Sequence, residues 1–113
     1  MLDSADCRRF FDPRGLLWSG SEVPVAEGGQ VLRIDRLVLL AGAPPTWWVL
    51  DYKLHHTPES LAAYREQLLR YAAAVAQGEP GATVRCAFIT GRGELVEVTR
   101  LPQYRTNGSL FDA

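Results

Sequence analysis

Apolar and polar positions alternate most densely between Val31 and Lys53. VLRIDRLVLL reads as a strand, AGAPPT as a loop marked by Gly42, Pro44 and Pro45, and WWVLDYK as a second strand of aromatic and β-branched residues. Side chains two apart on a strand share a face. The alternation puts Val31, Arg33, Asp35, Leu37 and Leu39 on one face and Leu32, Ile34, Arg36, Val38 and Leu40 on the other. Both faces are apolar toward the C-terminal half, which predicts a central strand. Upstream, residues 21–26 predict a short strand that Pro24 confines to an edge or a bulge, because proline has no donor. Glu27-Gly28-Gly29-Gln30 predicts the tight turn between the two.

Downstream the period changes. Leu61, Tyr64, Leu68, Tyr71 and Val75 recur at three- and four-residue steps, the signature of one helical face. Thr57 suits the N-cap and Pro58 the first helical position, with the helix running to about Gln77. Gly78 to Gly81 ends it. Residues 84–90 predict a strand, Gly91-Arg92-Gly93 a turn, and 94–98 a last hairpin strand. The order strand-strand-strand-helix-strand-strand places the chain in the α/β class, with a mixed sheet of about five strands. The helix between strands three and four favours a parallel, right-handed connection there. Residues 21–98 form the expected core domain. Residues 1–20 form an N-terminal segment, read as a loose turn or short helix, and 99–113 a flexible, polar tail. Trp47 and Trp48 are expected to pack the sheet, and Arg8 and Arg9 to form a solvated charge pair.

Length and charge narrow the functional classes. A chain of 113 residues holds one domain. A net charge of −1 argues against a protein that coats DNA irrespective of sequence, which would be basic. It leaves open an enzyme that binds DNA locally through a metal. No run of about 20 apolar residues predicts a membrane span, and the N-terminus lacks the apolar stretch of a signal peptide. Cys7 and Cys86 have no metal-ligand spacing and read as reduced thiols of a cytoplasmic protein.

The candidate chemistry lies in the two central strands. Asp51 and Lys53 share a face, and Tyr52 points away. If the strands pair as a hairpin, Asp35 comes opposite the Asp51 end. Two adjacent carboxylates repel, and one is pushed toward protonation. A divalent cation removes the conflict, since magnesium takes one or two carboxylates plus water and substrate phosphate. An ammonium beside them can hold a water or neutralise charge developing on phosphate. The plainer reading is a solvated Asp51–Lys53 ion pair with Asp35 at the surface. Gln67 and Tyr71, one helical turn apart, are compatible with ordinary amphipathic packing. His55 and His56 are set aside, because a hard cation does not favour imidazole.

Set side by side, Asp35-Arg36, Asp51-Tyr52-Lys53 and Gln67-x-x-x-Tyr71 resemble the motifs of the RecB-family nucleases. These are PD-(D/E)XK phosphodiesterase modules found at the C-terminus of UvrD-like helicases such as RecB and AddA. The family pattern is G-x-x-D-R, then D-Y-K, then Q-x-x-x-Y on the following helix, and the resemblance spans about residues 22–98. It implies a restriction-endonuclease-like fold and a magnesium- or manganese-dependent deoxyribonuclease. Asp35 and Asp51 would be metal ligands, joined by the backbone carbonyl of Tyr52. Lys53 would position or activate the attacking water, and Gln67 and Tyr71 would line the site. Glu22 matches a glutamate that often precedes the first motif. DNA and a linked helicase domain are the implied partners, in DNA break repair.

Two departures stand out. Leu32 occupies the glycine position, and no histidine precedes Asp35, where the family usually has a metal-binding one. The chain therefore looks like the C-terminal part of a larger nuclease domain, or a small free-standing relative. The competing readings are a nuclease-like fold kept as a catalytically inactive interaction or DNA-docking module, and a bare structural α/β domain.

Overall fold

Gly28 and Gly29 have φ of 56° and 80°, values that glycine reaches without steric cost, and they turn the chain back on itself with Glu27 opposite Gln30. The computed structural model describes residues 5–54 and 57–99. The hairpin joins β1 (Leu16–Glu27) to β2 (Gln30–Leu40). β3 (Thr46–Lys53) follows and pairs antiparallel with β2. Helix α2 (Ala62–Gly78) then crosses to β4 (Thr83–Thr90), which lies parallel to β3, and β5 (Leu95–Val98) returns antiparallel. The result is one mixed five-stranded sheet in the order β1-β2-β3-β4-β5, with its main helix after the third strand. The parallel pair falls where a helical crossover requires it.

Both faces of the sheet are covered, so its middle strands are apolar on both sides. On one face, Ile34, Leu37, Val49, Cys86 and Phe88 meet Leu68 and Val75 of α2. On the other, Val38, Trp48, Leu50, Ala87 and Ile89 meet Cys7 and Phe10. Cys7 lies on α1 (Ala5–Arg8), a single turn of helix, and Phe10 just after it. Trp48 is fully buried and Trp47 half-buried, so both pack the sheet as expected.

The expected elements need three corrections. β1 starts at Leu16, five residues earlier than the pattern indicates, and its first pairing, Leu16 with Leu40, is followed by a register shift before Trp18. The α-helix starts at Ala62 and not at Pro58, because residues 58–60 form a separate 3-10 turn. Thr57 makes no side-chain cap bond there, and Leu61 is more than a third exposed rather than core-facing. Arg8 and Arg9 are exposed, as expected, and the Arg9 guanidinium carbon also sits 4.7 Å from the Phe10 ring centroid and 5.1 Å from that of Trp48. Finally, strict alternation fails in β2. Ile34 and Leu37 share a core although they lie three positions apart, an odd step. The break coincides with Glu22 on β1, whose φ of 52° lies in the left-handed region that non-glycine residues rarely adopt. Pro24 lies on an edge strand, as its missing donor requires.

Among the described residues no helix is long and apolar enough to cross a membrane. His55, His56 and residues 100–113 lie outside the described residues.

Cys7 and Cys86 are buried on opposite faces of the sheet and unpaired with each other. The Cys7 thiol donates to Gly93 O at 3.2 Å and the Cys86 thiol to Val98 O at 3.3 Å. Burial pushes the Cys86 thiol up to about 11, so at pH 8 it stays protonated and unreactive. Ellman's reagent at pH 8 is expected to label the native protein slowly and to reach both thiols at once on unfolding. Immediate labelling of two thiols in native buffer would contradict this packing.

Candidate active site

The β2–β3 ladder pairs Arg36 with Leu50, and one step further brings Asp35 beside Asp51. There the ladder gives way to a side chain: the Asp35 carboxylate accepts the Tyr52 backbone N–H at 2.9 Å. The Asp35 carboxyl is close enough to disfavour the charge on Asp51. Val49 packs on the helix side and Trp48 and Leu50 on the other. The alternation therefore turns Asp51 and Lys53 toward α2 and Tyr52 away from it, as the sequence pattern requires.

Lys53 confirms that orientation through its contacts. Its Nζ lies 3.1 Å from Asp51 Oδ2 and donates to Gln67 Oε1 of α2 at 3.3 Å. The Asp51 approach is close but off the line of a hydrogen bond. Asp51 Oδ2 is the one buried side-chain oxygen or nitrogen among the described residues that lacks a hydrogen-bond partner. The Oδ2 charge is met by the Lys53 ammonium at 3.1 Å, but without a well-aligned hydrogen bond, which leaves room at this oxygen for a further cation or donor.

The electrostatics follow from this crowding. Burial, then the neighbouring Asp35, pushes the Asp51 carboxyl up to about 6, against a smaller opposing pull from Lys53. The Asp51 side chain is only 5% exposed, so the loss of hydration dominates. The Tyr71 hydroxyl is raised as well, first by burial and then by the negative charges of Asp51 and Asp35. Lys53 thus contacts both Asp51 and Gln67, Asp35 is held at the same strand end by the Tyr52 amide, and Tyr71 lines the cleft beside Gln67.

Glu22 does not join them. Its carboxylate is 75% exposed and 3.9 Å from Arg33. Leu32, at the glycine position of the motif, helps to wall a cleft of about 340 Å³ that opens beside Gln67 and Tyr71, together with Ala63, Glu66 and Arg70. A larger and more apolar cleft of about 440 Å³ lies at the other end of α2, between Val25, Trp47 and Gln77, away from the carboxylates.

Tyr64 was not among the candidates. Its ring centroid lies 4.6 Å from Lys53 Nζ. The available signal was its position on the helical face one residue short of a turn before Gln67, where it reads equally well as core.

The donor set is oxygen only: two carboxylates, with the Tyr52 carbonyl proposed as a third. Hard oxygen ligands fit magnesium or manganese, and Oδ2, which makes no well-aligned hydrogen bond, is a position such an ion could share with Lys53. Among the described residues no group of three or more His, Cys, Asp or Glu side chains is placed to hold a metal, so water and substrate would have to supply the remaining ligands. In comparisons with known proteins neither a family model nor a curated protein matches this chain, so the nuclease resemblance rests on its three short motifs and on the site they build.

Proposed function

We propose that the chain is the phosphodiester-hydrolysing core of a magnesium-dependent DNA nuclease of the PD-(D/E)XK type. In this reading its mixed sheet and helix follow the restriction-endonuclease-like plan, and the core serves beside a helicase motor in break repair. The observation that carries the reading is a nearly buried Asp51 beside Asp35, whose Oδ2 makes no well-aligned hydrogen bond and is met by the Lys53 ammonium at 3.1 Å. As plain structure this arrangement is unfavourable, and a site that binds a divalent cation accounts for it.

Asp35, Asp51 and the Tyr52 carbonyl would hold the ion. The ion would supply Lewis-acid polarisation of a phosphate and acidification of a bound water. The protein's own groups do the rest. Asp35, bonded to the Tyr52 amide, fixes the end of β3. Lys53, half-buried and held by Gln67, faces the point at which negative charge grows on phosphate. Tyr71 would line the cleft beside Gln67.

The test is direct. Millimolar magnesium or manganese is expected to shift the NMR signals of Asp35, Asp51 and Tyr52, and the purified chain to degrade linear or single-stranded DNA until EDTA is added. Absence of any local response to either metal would reject the reading. A second reading, a catalytically inactive nuclease-like module that docks DNA or a partner, is favoured by the two-carboxylate ligand set. It predicts DNA binding without degradation, unchanged in Asp51→Ala/Lys53→Ala.

A further inference from the structure

An unrestrained lysine samples many rotamers, so a lysine that must act at one point needs its ammonium held. Lys53 reaches from β3 toward α2, where three groups surround Nζ. Asp51 Oδ2 lies at 3.1 Å, Gln67 Oε1 at 3.3 Å, and the centre of the Tyr64 ring at 4.6 Å. The ring face carries partial negative charge and attracts a cation at this distance, more strongly where water is scarce. The Lys53 side chain is 22% exposed, so that condition is met.

The ring is itself seated. Its centroid lies 6.5 Å from that of Phe88, at an interplanar angle of 54°. Phe88 is fully buried and is the residue paired with Asp51 across the parallel β3–β4 ladder. The helix residue that faces the lysine therefore leans on the strand neighbour of the buried acid, which ties the two halves of the site to one packing unit.

We propose that Tyr64 is a positioning residue whose ring face fixes the Lys53 ammonium between Asp51 and Gln67. The role assigned to Lys53 rests on the nuclease reading above, but the contact itself does not. The ring supplies the interaction and the hydroxyl does not, so Tyr64→Phe keeps it and Tyr64→Leu removes it.

The experiment compares the two variants with the parent by two readouts. In the parent and in Tyr64→Phe, the terminal methylene protons of Lys53 are expected upfield of their free position through the ring current. In Tyr64→Leu they return to it. For DNA hydrolysis with magnesium, Tyr64→Phe is expected to stay near the parent, and Tyr64→Leu to lose about three- to thirtyfold in kcat with little change in KM. Tyr64→Met replaces the leucine variant should that one not fold. The proposal is overturned if the lysine protons are unshifted in the parent, if they stay shifted in Tyr64→Leu, if Tyr64→Phe falls as far as Tyr64→Leu, or if Tyr64→Leu keeps its kcat. If the parent itself cleaves no DNA, the nuclease reading fails, and the lysine resonances alone decide the contact.

Discussion

Asp51→Asn is expected to be more stable than the parent at neutral pH and, on the proposed reading, slower in DNA hydrolysis by on the order of a thousandfold or more. Both effects come from the same buried charge. Burial and Asp35 raise the Asp51 carboxyl from its ordinary 3.8 to about 6. Below pH 3.8 the group is protonated in the folded and the unfolded chain alike, and folding bears no charge penalty. Between 3.8 and 6 the unfolded chain gives up the proton while the folded chain keeps it, so stability falls as pH rises. Above 6 the full penalty is present, about 3 kcal/mol at 1.36 kcal/mol per pH unit. Asparagine keeps the shape without the charge, and its amide can donate to Asp35, but it gives up the Lys53 ion pair. The net gain in metal-free buffer at pH 7.5 is expected at about 1–3 kcal/mol, shrinking toward zero near pH 4. Thermal melts at the two pH values check this. Millimolar magnesium should then stabilise the parent and leave the variant unmoved, since only a form that binds the ion gains from it. An Asp51→Asn protein less stable than the parent at pH 7.5 would remove the charge conflict on which the metal site is argued.

That conflict was legible in the sequence because it depends on two periods and one turn. The two-residue period of WWVLDYK places Asp51 and Lys53 together, the hairpin fold-back brings up Asp35, and the helical step from Gln67 to Tyr71 delivers the facing pair. Each follows from backbone geometry alone, and the sheet order with its parallel β3–β4 pair follows from the helix between them. What stayed hidden depends on tertiary contacts. The reversal of faces between Ile34 and Leu37 coincides with the left-handed Glu22 across the ladder, and nothing about a glutamate announces that φ. Tyr64 reads as one more apolar position until the lysine is seen against its ring. The cover on the second face is the largest omission. α1 has only four residues, too few to show a period, and Arg8 and Arg9 separate its buried Cys7 from the buried Phe10. The sequence pattern of β4, a mostly apolar run, does signal burial on both faces. It does not say which segment provides the second cover.

Phe10→Ala is expected to cost about 3–5 kcal/mol, the range for deleting a fully buried aromatic side chain. Phe10 is fully buried, and its ring centroid lies 5.0 Å from that of Trp48. The Arg36 guanidinium donates twice to the Phe10 carbonyl, at 3.0 and 3.3 Å, and sits 4.7 Å over the Phe11 ring. Loss of the Phe10 ring thus leaves a cavity against Trp48 and loosens the segment that Arg36 holds. A domain of this size has a net stability of about 5–15 kcal/mol, so the variant is expected to melt more than about 10 °C lower and to sit near the edge of folding. Phe10→Leu, which refills part of the cavity, should recover most of the loss. Urea melts of the three proteins measure it. A loss under about 1 kcal/mol in Phe10→Ala would mean that the segment is not seated on the sheet. The consequence reaches the site, because Asp35 and Arg36 are consecutive in β2: one serves the carboxylate pair on the helix side, and the other anchors the cover opposite. A sheet stripped of that cover would lose the rigid β2 that keeps the Asp35 carboxylate on the Tyr52 amide, so folded Phe10→Ala protein should also show a weaker response of the Tyr52 signal to magnesium.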